Sequence, residues 1–199
     1  MKRNVAILIF DEVELLDFCG PFEVFSVAGI QDEPSPFWVY TVSEEQRPIR
    51  ARNNLSINPH FTLTNCPRPD LLLIPGGMGT RKEMFNPVIL NWIKQWAGEV
   101  ELVLSVCTGA LLLAKAGLLN GLKATTHHGA LSLLEEVAPE AIIEKGKRFI
   151  DNGRVIVAAG ISAGIDMSLY VVGRLLGNDQ AQKTADYMEY RWKLEEELV

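Results

Sequence analysis

Five short apolar runs, residues 5–10, 37–42, 71–74, 102–106 and 155–159, are nearly continuous rather than alternating, and each is bounded by Gly, Pro or charge. A strand with one wet face alternates apolar and polar residues. A continuous run is buried on both faces, the situation of strands inside a parallel sheet. Between these runs, residues 88–96, 110–119 and 131–137 read as helices. Over 165–176, Ile165, Leu169, Val172 and Leu176 fall at i, i+4, i+7 and i+11, a helical face, with Ser162 as the expected N-cap. Alternation of this kind predicts an α/β fold, a doubly wound, mostly parallel sheet between helices. Residues 149–157 add a β-hairpin, because Asn152-Gly153 tolerates the positive φ of a type I′ turn.

Length supports one domain over 1–199: 199 residues at roughly 150 per domain leave no second core. The core is expected over 4–176, followed by a charged, exposed C-terminal helix over 178–197. A chain this long buries about 70% of its unfolded surface and needs no metal or disulfide staple. The formal charge of −6, without a Lys/Arg run, speaks against nucleic acid as a partner. Cys19, Cys66 and Cys107 are odd in number and widely spaced, neither a disulfide framework nor a zinc pattern, which suits a reducing cytoplasm. No apolar run reaches membrane-spanning length, and the run after Met1-Lys2-Arg3 is too short for a signal sequence. No membrane partner, metal or organic cofactor is expected.

In doubly wound sheets, sites form at the carboxyl ends of strands. The fourth run continues Ser105-Val106-Cys107-Thr108-Gly109-Ala110 into a helix. A nucleophile between small residues at a strand-to-helix turn is the pattern of a nucleophile elbow. The helix dipole is expected to favour the thiolate of Cys107. The competing reading is a buried structural cysteine, as expected for Cys19 and Cys66. After the third run, Pro75-Gly76-Gly77 can present backbone N–H groups to an oxyanion, or can simply form a tight turn. Asp17 and Glu23 lie in an apolar stretch where a carboxylate needs a partner, so each is a candidate acid or base unless it faces water or caps the helix. His127 and His128 follow Ala124-Thr125-Thr126, and at most one of the two can face the cysteine. His60 has no supporting context.

Taken in order, Phe10-Asp11, Leu16-Asp17, Gly20-Pro21-Phe22-Glu23-Val24-Phe25, Ile74-Pro75-Gly76-Gly77, the Cys107 segment, Ala124-Thr125-Thr126-His127 and Ala159-Gly160-Ile161-Ser162-Ala163-Gly164-Ile165-Asp166 resemble the ThiJ/PfpI superfamily. The resemblance runs from residue 5 to about 176 and implies a flavodoxin-like, class I glutamine-amidotransferase-like fold. Within the superfamily the chain is most similar to the isonitrile hydratases and the amidase-like domains of AraC-type regulators. That likeness implies Cys107 as nucleophile, Asp17 as the carboxylate facing it, Glu23 as an acid behind it and Thr108 assisting at the elbow. The Gly77 and Thr108 amides would be oxyanion donors, with Gly76 and His127 beside the substrate. It also implies a homodimer and a small-molecule substrate. The superfamily's proteases carry His directly after the cysteine, where Thr108 stands, and none of the three histidines begins the late His-x-Glu of true amidotransferases. Ending at Val199, the sequence is expected to lack the regulators' DNA-binding domain. His128 stands where an aromatic Trp is expected in the hydratases. The function expected is hydration of an isonitrile to a formamide; the alternatives are a glyoxalase or deglycase activity on reactive carbonyls, or a cysteine redox sensor or small-molecule-binding module.

Overall fold

The computed structural model describes residues 2–30 and 35–192. In chain order its strands are β1 (Arg3–Leu8), β2 (Phe37–Ser43), β3 (Ile49–Arg50), β4 (Ser56–Ile57), β5 (Phe61–Thr62), β6 (Leu71–Ile74), β7 (Leu102–Val106), β8 (Lys123–Ala124), β9 (Ile142–Ile143), β10 (Phe149–Asp151) and β11 (Val155–Ala158). Its helices are α1 (Leu15–Val27), α2 (Thr80–Glu83), α3 (Pro87–Ala97), α4 (Gly109–Lys115), α5 (Leu131–Val137), α6 (Ala163–Leu176) and α7 (Asn178–Tyr187).

The apolar runs become the middle of a sheet ordered β10-β11-β7-β6-β1-β2-β5, parallel except for β10. Val5 to Leu8, Leu71 to Ile74 and Ile156 to Ala158 are all wholly excluded from solvent, as two-faced burial requires. Each large side chain among them contributes about 1.5–3 kcal/mol relative to exposure. Helices flank the sheet in two groups, α1 with α6 and α7, and α4 with α3 and α5. From β1 the chain crosses to β2 on one side and to β6 on the other. The switch point therefore lies between β1 and β6, where an open α/β sheet leaves a crevice at its carboxyl edge.

Close helix packing explains the Gly-Pro and Ala-Gly segments. A Cβ on Gly20 would stand 2.9 Å from Ile165 Cγ1, and one on Gly164 would stand 3.0 Å from both γ carbons of Val106. Pro21 lies inside α1 and has no N–H to donate to the Asp17 carbonyl one turn back.

Four expectations are corrected. The hairpin forms, but only Gly153 takes a positive φ (+86°), so its turn is not type I′. Asn152 is instead spent outside the turn, its side chain bonding Lys123 N–H and C=O at 3.1 and 2.9 Å. Ser162 precedes α6 but accepts no capping bond from it; its hydroxyl takes Arg148 at 3.3 Å. The helix expected over 110–119 stops at Lys115, ahead of Gly117 at φ +75°. The C-terminal helix ends at Tyr187, after which the chain folds back: Trp192 is buried and Tyr190 Oη donates to Asp166 at 2.8 Å. Residues 193–197 of that expected helix lie outside the described residues. No helix among the described residues is long and apolar enough to cross a membrane.

Candidate active site

Cys107 stands between β7 and α4 at φ +57°, a left-handed conformation that a residue with a Cβ rarely adopts. Its backbone N–H donates to the carbonyls of Ala158 and Ala159 at 3.1 and 2.8 Å, holding the turn against β11. The flanking glycine is required by space, since a Cβ on Gly109 would lie 2.1 Å from Ile74 O. Thr126 Oγ1 donates to the Cys107 carbonyl at 2.7 Å, which ties the Thr-Thr-His segment to the elbow. Strand, sharp turn and helix thus occur as an elbow demands.

Asp17 enters from the first turns of α1 and is wholly buried. Gly76 N–H donates to its Oδ2 at 3.0 Å. Burial, the dominant influence, pushes the carboxyl up to about 7, against the thiol of Cys107 and the Gly76 N–H, which favour the anion. Burial likewise pushes the Cys107 thiol up to about 12, and the neighbouring Asp17 charge adds to it. The N–H groups of Thr108 and Ile161 face the sulfur and act the other way. The expected dipole-stabilised thiolate is therefore corrected. Helix α4 has only seven residues, and desolvation outweighs it. The two groups perturb each other, so their protonation states are coupled.

The glycine loop serves the site differently from expectation. Gly77 N–H donates to Thr108 Oγ1 at 3.0 Å, which removes it as an oxyanion donor. Thr108 Oγ1 also donates to Gly77 O at 3.1 Å and accepts from Thr80 Oγ1 at 3.1 Å, so the Thr108 hydroxyl fastens the elbow to the loop after β6. The N–H groups facing Cys107 are those of Thr108 and Ile161. Ile161, itself at φ +50°, carries no sequence signal for this place.

Glu23 is not brought to the site; it is exposed on α1. Of the two histidines, His127 lines the cavity at Cys107 and His128 does not. The two rings lie against each other, centroids 4.2 Å apart and tilted by 33°. A Cβ on Gly160 would lie 2.4 Å from His127 Cδ2, so Gly160 makes room for that ring. His127 Nδ1 accepts the Gly129 N–H at 3.1 Å, which requires an unprotonated Nδ1. Burial, then His128 and Arg81, hold this imidazole below its usual range, in the same neutral state. His60 belongs to the fold, its Nδ1 accepting the Thr41 N–H at 3.1 Å. Cys19 and Cys66 are half-buried against the core.

The cavity is about 220 Å³ and is lined by Gly77, Met78, Cys107, Thr108, His127, Gly129 and Ile161, with Glu14, Arg52 and Arg81 as its charged members. His127 and Ile161 also wall a neighbouring cavity of about 420 Å³. The two arginines carry no sequence signal: Arg52 is in a loop and Arg81 in the four-residue α2. Among the described residues no group of three or more His, Cys, Asp or Glu side chains is placed to hold a metal ion. The arrangement places a thiol, a buried carboxyl held near neutrality and two backbone N–H groups together, a set that can serve nucleophilic chemistry.

Residues 3–174 match the DJ-1/PfpI family. The chain is 33% identical over 190 residues to the isonitrile hydratase of Pseudomonas putida, covering 96% of this chain and 79% of that one. It is 24% identical to the HTH-type transcriptional regulator GbdR of Pseudomonas aeruginosa over 94% of its own length, spanning about half (51%) of that regulator. The crystal structure of a ThiJ/PfpI family protein from Pseudomonas syringae superposes with a TM-score of 0.87 at 28% identity, over 97% of this chain and 77% of the other. Drosophila melanogaster DJ-1beta shares the fold at a TM-score of 0.84 and 17% identity, over 96% of this chain and all (100%) of that one.

Proposed function

The chain belongs to the DJ-1/PfpI family, and we propose that within it this protein is an isonitrile hydratase, converting an isonitrile and water into an N-substituted formamide. One observation carries the reading: the elbow cysteine Cys107 lines a small cavity and has the buried carboxyl of Asp17 against its thiol. The Pseudomonas putida hydratase, similar over nearly the whole chain, supports it.

Attack by the Cys107 sulfur on the terminal isonitrile carbon forms a C–S bond. The thiol proton passes through Asp17 to the same carbon, giving a thioimidate, S–CH=N–R. Water then adds to that carbon, and the proton it loses passes through Asp17 to the nitrogen, giving S–CH(OH)–NH–R. Collapse of the adduct breaks the C–S bond, returns the proton to the sulfur and releases the formamide. The carboxyl alternates between base and acid, so a proton affinity near neutrality suits it. No redox step occurs. The Thr108 and Ile161 N–H groups stabilise charge on the sulfur as it attacks.

The test is formamide production from simple alkyl isonitriles and from the anionic isocyanoacetate, followed by mass spectrometry beside the Pseudomonas putida hydratase. Wild-type protein is expected to make formamide and Cys107→Ser to make none. No formamide where the reference enzyme works overturns the reading. Methylglyoxal, scored for lactate, probes the carbonyl-directed alternative in the same series. Peroxide treatment, with the oxidation state of Cys107 read by mass spectrometry, probes the redox-sensor alternative.

A further inference from the structure

Arg81 is half-buried, and its Nη1 donates to Gly77 O at 3.0 Å and Thr80 Oγ1 at 3.1 Å. Those bonds fix the guanidinium to the same loop that Thr108 fastens to the elbow. Arg52 lines the same cavity but has a carboxylate partner, Glu14, at 3.4 Å. Arg81 makes no ion pair among the described residues. A partly desolvated cation held by neutral oxygens alone lacks a counter-charge. The rest of its planar fork has donors suited to a carboxylate.

We infer that the cavity at Cys107 takes a substrate bearing a carboxylate, which pairs with Arg81 while the reacting carbon meets the sulfur. The inference rests on Cys107 being the reacting thiol of that cavity, and it narrows the substrate class of the proposed reaction to anionic compounds. The negative charge shared by Asp17 and Cys107 lies deeper and is met by the Gly76 N–H. A carboxylate at Arg81 therefore does not need to share its partner. Arg52 and Glu14 offset each other in the cavity, which leaves the charge of Arg81 uncompensated among the described residues. Both arginines depress His127, which places their fields within the cavity.

Iodoacetate and iodoacetamide are nearly isosteric thiol reagents that differ in charge. Their alkylation rates at Cys107 are to be read by mass spectrometry, with Cys107→Ser to subtract Cys19 and Cys66, and with the neutral thiol N-acetylcysteinamide as reference. The iodoacetate-to-iodoacetamide rate ratio at Cys107 is expected to exceed the reference ratio by about tenfold, the size of one partly desolvated charge contact. It should fall severalfold in Arg81→Met and, in wild-type protein, at 1 M NaCl, where the screening length is about 3 Å. A ratio equal to the reference, or one unmoved by both the substitution and salt, overturns the inference. Alkylation needs no isonitrile turnover. Formamide production without an anionic preference would sink this inference alone; an anionic preference without formamide production would sustain it and sink the hydratase reading.

Discussion

Gly76 N–H meets Asp17 Oδ2 at 3.0 Å, while the second carboxyl oxygen, Oδ1, is buried with no hydrogen-bond partner among the described residues. Desolvation outweighs the groups that favour the anion, the Cys107 thiol and the Gly76 N–H, which is why the proton stays until about pH 7. The same glycine makes the approach possible. A Cβ there would lie 2.8 Å from Asp17 Oδ2 and 2.5 Å from the Thr108 nitrogen. Gly76 thus brings α1 and the elbow together by being small and by offering its N–H.

Replacing the carboxyl with an amide separates its two roles. Asp17→Asn keeps an oxygen for Gly76 but can neither take nor return a proton. Turnover should fall about 10²–10⁴-fold, the usual weight of a positioned acid–base group. The Cys107 thiol, freed from a neighbouring negative charge, should titrate lower than in wild-type protein. Alkylation by iodoacetamide as a function of pH reads this directly, and an unchanged thiol profile would show that the two groups are not coupled.

The same substitution changes the pH dependence of stability. Asp17 binds its proton up to about pH 7 when folded, against 3.8 for an ordinary aspartate. Between those values the folded state holds a proton that the unfolded state has released, so stability from this group is complete below pH 4 and falls as pH rises through 7. The full loss is on the order of a few kcal/mol. Thermal melts from pH 4 to 8 should show Asp17→Asn gaining on wild type as pH rises. A constant difference across that range would contradict the raised carboxyl.

Much of the frame was legible because its signals are local. The run over 71–74 ends at Pro75-Gly76 and became β6 without adjustment, and 102–106 became β7 in the same way. The two-residue strands β3, β4, β5, β8 and β9 are too short to carry any periodicity. At the site, Cys107, Asp17, Gly76, Gly77, Thr108 and His127 do converge, although the Gly77 amide is spent on Thr108. Glu23 was separable from Asp17 by helix geometry alone: six residues at about 100° each leave the two side chains about 120° apart on α1. Arg81 and the Ile161 amide were not readable, one because α2 is a single turn, the other because a backbone N–H at the site leaves no mark on the residue type that bears it.

Two glycines at the site differ in what an added methyl would strike. On Gly109 it meets the carbonyl of Ile74 at 2.1 Å, and strand backbone cannot give way. On Gly160 it meets the ring of His127 at 2.4 Å, and a side chain can turn. Gly109→Ala should therefore cost about 1–3 kcal/mol or more of stability, as overpacking does. Gly160→Ala should cost less but displace His127, visible as a shift of its imidazole resonances. Chemical denaturation ranks the two, and the reverse order would mean that the elbow is looser than its contacts indicate.

The strain at Cys107 can be weighed with two side-chain deletions. At φ +57° a residue with a Cβ is held at a cost of about 1–2 kcal/mol, which glycine does not incur. Against that, alanine buries one more methyl than glycine, worth about 0.8 kcal/mol. At an ordinary buried position alanine is the more stable of the two. Here Cys107→Gly should equal or exceed Cys107→Ala, because relief of the backbone offsets the missing methyl. Urea midpoints of the two variants at one pH decide it. A Cys107→Ala protein more stable by about 1 kcal/mol or more would show that the elbow is not held against its backbone preference, and the strained-nucleophile description would fail with it.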